Sequence, residues 1–230
     1  VETDADAAAE GGDGGSIGVC LNCAILNLRV GDSFVADGNH YAQALIYAVD
    51  NGAVAINSAL GTMTNSSLVR HANDYAWDNG VTIAGSAADE AAFHVMYPAG
   101  NHHGLYVNNV RFNADHESEA SSFLQMANCT NYGTRVDITA ANTGCSSRAV
   151  SIVAGVAGLV SSAGMGADGV EALDPPLSAA ETYQILLRSA DDVHIPESYG
   201  DGADPTFWPM RPGWDAFSGH GRVNARSAVD

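Results

Sequence analysis

Apolar residues along this chain recur with two periods, and the two alternate. Ala24–Val30 reads as a strand. From His40 to Asp50 the apolar positions Ala44, Leu45, Ala48 and Val49 follow helical spacing, and Asn51-Gly52 supplies a C-terminal stop. Ala53–Leu60 is a short apolar strand closed by Gly61. Ser67–Asp78 is a second amphipathic helix, stopped by Asn79-Gly80. Val81–Gly85, Leu105–Val110 and Arg135–Thr139 are further strands. Ser178-Ala-Ala-Glu181 is a capping box that opens a helix running to Ser189. Residues 191–219 form a loop rich in Pro, Gly and Asp, and a last short helix starts near Asn224. Strands separated by helices of this length predict βαβ units, hence a doubly wound α/β fold with a mainly parallel sheet and helices on both faces. With no internal repeat and no linker, residues 1–230 are expected to form a single domain, of which 1–16 are a polar leading segment.

One segment departs from this alternation. Gly144 and the Cys145-Ser146-Ser147 run resist helix, whereas Ala149–Leu159 after them contains no charged residue. A helix apolar on every side is a core helix, and its glycines permit close approach of neighbouring backbone. Its N-terminus offers unpaired N–H groups and the positive end of the helix dipole. A nucleophilic hydroxyl and an oxyanion could be served together there. The residues by themselves equally allow a serine that only caps a buried helix.

Composition narrows the function. At 46% hydrophobic content, 230 residues can bury a sizeable core. Acidic residues number 27 against 9 basic ones, all of them arginine, for a net charge of −18. That balance argues against nucleic-acid partners and anionic membrane surfaces, because both need a basic face. The apolar run after Ser147 is interrupted by glycine and serine, so a core helix is expected there and no membrane span. The cysteines stand as Cys20-Leu-Asn-Cys23, Cys129 and Cys145, without the second ligand pair that zinc needs. Cys20 and Cys23 precede a strand-like run, unlike a thioredoxin-type pair at a helix N-terminus. Structural disulfides in an exported protein are the expectation, which implies an extracellular or periplasmic location. The chain opens at Val1 in a polar Asp/Ala/Gly stretch without an initiator methionine or signal peptide, and is read as a fragment incomplete at its N-terminus.

Laid out in order, these segments resemble the subtilisin-like serine proteases (subtilases) from Gly18 to the end. Ile17–Leu26 followed by Leu28-Arg-Val30 is similar to the family's segment beyond the catalytic-histidine helix. Tyr47–Gly61 resembles the helix and strand that line the substrate cleft. Asp78–Glu90 resembles the strand ending in Ala-Ala-Gly-Asn-Glu, and Met96-Tyr-Pro-Ala99 the tyrosine-proline step beyond it. Asn131–Ile138 resembles the strand approaching the nucleophile. Val153-Ala-Gly155 matches the family's helix pattern, and Ser218-Gly-His-Gly-Arg-Val-Asn-Ala225 its closing motif.

The resemblance implies a serine endopeptidase that acts on polypeptides through an acyl-enzyme, as a monomer and with no cofactor in its chemistry. Anchored on Val153-Ala154-Gly155, the family's Gly-Thr-Ser triplet falls on Cys145-Ser146-Ser147. Ser147 is then the nucleophile, with its own N–H a candidate oxyanion donor, and Ser146 is the competitor if the register shifts by one. The family's side-chain oxyanion donor is an asparagine, and its position holds Asp89. An ionised carboxylate cannot donate, and losing such a donor costs roughly 3 kcal/mol of transition-state stabilisation. Asp89 serves only if burial keeps its proton on; otherwise it belongs, with Glu90, to an exposed acidic turn. Ser58-Ala59-Leu60-Gly61 and Ser86-Ala87-Ala88 would be the cleft edges that bind an extended substrate backbone as an added strand. The stretch between Asp137 and Ser147 is short for the family, so one cleft wall should be reduced. In the family fold Cys129 and Cys145 lie on converging segments, which implies a disulfide between them and leaves Cys20 and Cys23 as the second candidate pair.

Part of the family's machinery is missing. Its catalytic aspartate and its histidine, in a His-Gly-Thr context, both precede the segment matched at Gly18, and no His-Gly-Thr occurs in this chain. His40 and His71 lie on amphipathic helices, His94, His102 and His103 flank Tyr97-Pro98, and His116, His194 and His220 are loop-like. A serine without its base is a weak nucleophile, so the chain as it stands should hydrolyse little. A subtilase-like pseudo-protease serving as a binding or scaffold module is the alternative, motivated by Cys145, Asp89 and the shortened loop. An unrelated α/β ligand-binding domain is a third reading, hinted at by Gly11-Gly-Asp-Gly-Gly15 but without a dinucleotide or phosphate-loop pattern. Calcium as a structural ion is compatible with acidic loops near Asp13, Asp191-Asp192 and Asp201–Asp204, but no residue is assigned to a metal.

Overall fold

The computed structural model describes residues 17–31, 37–111, 125–126, 129–142, 144–166, 171–193 and 210–230. In chain order its elements are helix α1 (Gly38–Asp50), strand β1 (Ala55–Ser58), helix α2 (Ser67–Asp78) and strands β2 (Thr82–Ser86), β3 (Leu105–Arg111), β4 (Gln125–Met126) and β5 (Ile138–Ala141). Helices α3 (Ser146–Gly164), α4 (Ala179–Arg188) and α5 (Ala225–Val229) complete them. Local chemistry sets the helix ends. The Asp37 carboxylate accepts from the N–H groups of Asn39 and His40 and so opens α1. Asn51 and Asn79 close α1 and α2, each followed by a glycine at positive φ (81° at Gly52, 78° at Gly80). Ser178 and Glu181 form the expected capping box at α4.

Strands β1, β2, β3 and β5 lie side by side in parallel, with Ser58 opposite Gly85, Ser86 opposite Val107 and Val107 opposite Ile138. The short β4 runs antiparallel to the end of β3. Side chains alternate across the sheet. Ile83 faces a layer made by Tyr41 and Leu45 of α1 and Val69, Ala72 and Ala76 of α2. Ala84, Leu105, Val107 and Ile138 face the other way, onto Val150, Val153, Val156 and Val160 of α3. Helices therefore cover both faces, as the doubly wound pattern predicts. Each fully buried valine contributes about 1.5–3 kcal/mol, so α3 is the helix on which the core chiefly depends. By length and composition alone its 19 residues would suffice to cross a membrane. Within the fold most of that helix is buried in protein, as for a core helix.

Three elements differ from expectation. Ala24–Val30 is not a strand: Ile25 and Leu26 are about half exposed, at 50% and 46%. The segment shares the walls of a cavity of about 800 Å³ with β1, α1 and α3, and among the described residues it pairs with no strand. The strand expected at Arg135–Thr139 begins only at Ile138, because Asp137 turns its carboxylate inward to accept hydrogen bonds. Helix α3 begins at Ser146, with Cys145 as its extended N-cap, rather than opening at Ser147. Both cysteine pairs are bridged, Cys20 to Cys23 and Cys129 to Cys145. The first bridge packs on α3 at Gly158, where an added methyl would lie 3.1 Å from Cys23 Sγ. The segments 1–16, Gly11–Gly15 and Asp201–Asp204, together with His116 and His194, lie outside the described residues.

Candidate active site

The C-terminal ends of β1 and β2 and the N-terminus of α3 meet at one rim of the sheet. Cys145 is extended and tethered to Cys129. A crosslink thus constrains the turn at the position where the family usually has a freely turning glycine. Behind Cys145, buried asparagines hold the turn. Asn109 Nδ2 donates to the Gly144 carbonyl (2.5 Å), Asn142 Nδ2 donates to Asn109 Oδ1 (2.8 Å), and the Gly144 N–H donates to Asn142 Oδ1 (2.6 Å). Sequence reading missed this scaffold. The available signal was Asn108-Asn109 inside an apolar strand, since buried amides survive there only with partners.

Ser146 and Ser147 occupy unlike surroundings. Ser146 is fully buried. Its N–H and Oγ both donate to Asp89 Oδ1, at 3.0 and 2.5 Å, and Ser86 Oγ lies 2.6 Å from its Oγ. The Ala88 N–H donates to Ser86 Oγ (3.0 Å), so Ser86 can in turn donate to Ser146. Ser147 is half-buried, and among the described residues its hydroxyl has no hydrogen-bond partner. Its carbonyl accepts from Ser151 Oγ (3.0 Å), which itself accepts from Asn57 Nδ2 of β1 (3.0 Å).

Asp89 is exposed, so the burial on which a donor role for it depended is absent. Its loop is unusual in its backbone. Ala88 and Ala91 have φ of 70° and 54°, a region that side-chain-bearing residues rarely adopt. Buried Asn131 braces the loop. Its Oδ1 accepts from the N–H groups of Glu90 (3.2 Å) and Ala92 (3.1 Å), and its Nδ2 donates to the Ala87 carbonyl (2.9 Å) and to Glu90 (2.6 Å). Asn131 was part of the sequence match, but its bracing role was not legible there.

The expected cleft residues fall on two neighbouring strand ends. Ser58 is buried, its Oγ accepting from the Tyr41 hydroxyl (3.0 Å). Ala59 is half-buried, Gly61 is exposed, and Leu60 turns toward a cavity of about 230 Å³ lined also by Tyr41, Val69, Tyr97 and Pro98. Ser86 and Ala87 are buried and Ala88 half-buried on the facing wall. The histidines lie elsewhere. His94 Nε2 is 3.2 Å from Asn131 and 3.6 Å from Glu90, His103 Nδ1 is 2.8 Å from Asp74 and stacks on Trp77, and His40, His71, His102 and His220 are exposed. Asp191 pairs with Arg222 and Asn224, and among the described residues no cluster of three metal-ligating side chains occurs.

Comparison with known proteins puts this rim in context. No family model matches the chain. It is 30% identical to thermitase of Thermoactinomyces vulgaris over 221 residues, covering 94% of this chain and 68% of that protein. Identity is 30% to the cell wall-associated protease of Bacillus subtilis (strain 168) and 26% to a thermophilic serine proteinase of Bacillus sp. (strain AK1). The chain spans only 25% and 47% of the length of those two. Among solved structures, sphericase superposes with a TM-score of 0.73 over 96% of this chain and 75% of its own, at 20% identity, which speaks to the fold.

Proposed function

The chain belongs to the subtilisin-like serine proteases, and from that premise we propose that it carries the nucleophile-bearing part of an endopeptidase active site, with Ser147 as the attacking residue. The observation that carries this reading is the contrast at the start of α3. Ser146 is buried and hydrogen-bonded on both sides, while Ser147 is half-buried with an uncommitted hydroxyl. In the proposed reaction Ser147 Oγ attacks the scissile carbonyl carbon and a base takes its proton. The carbonyl oxygen becomes an oxyanion facing the Ser147 N–H at the positive end of α3. The tetrahedral intermediate then collapses to an acyl-enzyme, the amine leaves with a proton, and water releases the acid. The base and its orienting carboxylate would come from residues outside 1–230, as no described histidine bonds to Ser147. Among the described residues β1 is an edge strand, and the cavity beside it offers room for such a segment. The substrate is an extended polypeptide lying along Ser58–Gly61 and Ser86–Ala88. The chemistry calls for no cofactor, and an extracellular site of action fits two disulfides in a strongly acidic chain.

A fluorophosphonate probe applied to the full-length protein tests this. Labelling should vanish in Ser147→Ala and persist in Ser146→Ala. Labelling that survives Ser147→Ala would sink the assignment. One observation favours a second reading, a pseudo-protease that binds without cutting: Asp89 turns an acceptor toward Ser146, so a carboxylate stands where the oxyanion needs a donor. Full-length protein that binds peptides but resists the probe would favour it.

A further inference from the structure

We propose that Ser151, held by Asn57, is a positioning residue for the nucleophile, fixing the peptide unit on which the Ser147 hydroxyl stands. The inference rests on the endopeptidase reading and deepens it. Ser151 lies one turn beyond Ser147 on α3 and is fully buried. Its neighbours Ala149, Val150 and Val153 are buried and apolar, and an alanine at 151 would fill the place without a polar atom to satisfy. The hydroxyl is satisfied on both sides. It donates to the Ser147 carbonyl (3.0 Å) and accepts from Asn57 Nδ2 (3.0 Å), which joins α3 to β1.

The three residues link parts of the site that have to agree. Asn57 sits on β1 immediately before Ser58, where the cleft edge begins, and its backbone is held in register opposite Ala84 of β2. Its Oδ1 is buried with no hydrogen-bond partner among the described residues, so the donation to Ser151 is what the amide contributes. At the other end, the Ser147 carbonyl belongs to the first turn of α3, and helix ends fray. A serine hydroxyl that bonds back to the carbonyl of the preceding turn competes with the helix ladder and bends it. Free of other contacts, such a hydroxyl can rotate away. Here the amide on β1 occupies its oxygen and leaves its proton directed at Ser147. The Ser147 side chain thus stays uncommitted while the backbone beneath it is tied to the strand that carries the substrate edge. Misplacing a reacting group by about 1 Å can cost about 100-fold in rate, so this tie acts on turnover rather than on binding.

The test uses full-length protein and a peptide substrate. In Ser151→Ala, kcat should fall about tenfold while KM stays within about twofold. Asn57→Asp puts a carboxylate in place of the donor; it accepts the Ser151 proton and draws it away from Ser147, so kcat should fall by a similar factor. The double variant should be no slower than Ser151→Ala, because both changes break one relay. The chemical shift of the Ser147 carbonyl carbon reads the same bond without turnover, and should move in both single variants. Ser151→Ala decides by itself if the new carboxylate prevents folding. An unchanged kcat in folded Ser151→Ala, losses that multiply in the double variant, or a carbonyl shift that stays where it was would overturn the proposal. A parent that the fluorophosphonate leaves unlabelled would count against the endopeptidase reading alone, because the carbonyl shift reports the relay in either case.

Discussion

Two aspartates at opposite ends of the sheet show how differently one fold treats the same side chain. Asp89 follows β2 at the C-terminal rim and is exposed, yet its Oδ1 collects two hydrogen bonds from Ser146 at the N-terminus of α3. Asp137 precedes β5 at the other end and is buried. Its Oδ2 accepts from the Tyr106 N–H (2.8 Å) and its Oδ1 from the Tyr183 hydroxyl (2.9 Å). At the rim, the loop that carries the carboxylate is conformationally costly, with Ala88 and Ala91 at positive φ, and is held in place by Asn131. At the base, a strand N–H and a helix tyrosine hold the carboxylate, and the cost lies in desolvation. On the proposed function, strain held at the rim belongs with catalysis, and burial at the base belongs with stability.

Replacing each carboxylate by an amide separates the two roles most sharply at Asp89. In Asp89→Asn, Oδ1 can still accept from Ser146 while Nδ2 becomes a donor toward the oxyanion. Peptide hydrolysis by the full-length protein should rise by about 100-fold in kcat, the amount one oxyanion donor typically supplies. Stability should change by less than about 1 kcal/mol, the usual worth of a charge near a helix N-terminus. A steady-state assay paired with urea unfolding measures both. An unchanged or lower kcat would show that Asp89 does not face the oxyanion.

Asn131→Ala is the next largest effect and bridges the comparison, because a buried residue here supports an exposed loop. The substitution leaves the N–H groups of Glu90 and Ala92 without their acceptor and the buried Ala87 carbonyl with one donor fewer. The loss is expected at about 2 kcal/mol, since parts of the loop can turn to water. Hydrogen exchange should speed up within 87–92 and remain unchanged in β5 and α4. A uniform rise across the whole sheet would mean that Asn131 supports the fold at large rather than the rim.

This contrast also marks how far the sequence carried. Layers and helices were legible because periodicity and caps are local, and Asn51-Gly52, Asn79-Gly80 and the Ser178–Glu181 box ended or opened helices where expected. Ala24–Val30 was misjudged because a strand is defined by its partner, which no pattern within the segment can supply. For the candidate site the sequence offered residue types, Ser147, Asp89 and the two cleft edges. The relations that decide its chemistry were not legible: that Ser146 is the serine bound to Asp89, that Asn131 braces the loop, and that Asn57 holds Ser151 from 94 positions away in the chain. Each is a contact between segments distant in sequence, and each involves a residue whose type alone suggests nothing unusual.

The base of the sheet makes the last and smallest prediction, which concerns pH. Burial raises the Asp137 carboxyl above its ordinary value, opposed by the hydrogen bond from the Tyr106 N–H, the charge of Arg135 and the hydrogen bond from Tyr183. The group therefore binds its proton more tightly in the folded chain than in the unfolded one. Below the unfolded value of 3.8 both states are protonated and the contribution to stability is complete. As pH climbs from there, the unfolded state ionises first, and the contribution shrinks until it is lost above the raised folded value. Asp191 runs the other way, lowered by the hydrogen bond from Asn224 and by Arg222, so whole-protein stability against pH mixes opposite slopes. Subtracting the urea-unfolding curve of Asp137→Asn from that of the parent isolates the one group. The parent's advantage should fall as pH rises from acid toward neutrality, while hydrolysis, which depends on the far rim, keeps the same pH profile in both proteins. A difference that stays flat, or grows with pH, would mean that the hydrogen bonds from Tyr106 and Tyr183 outweigh desolvation at Asp137.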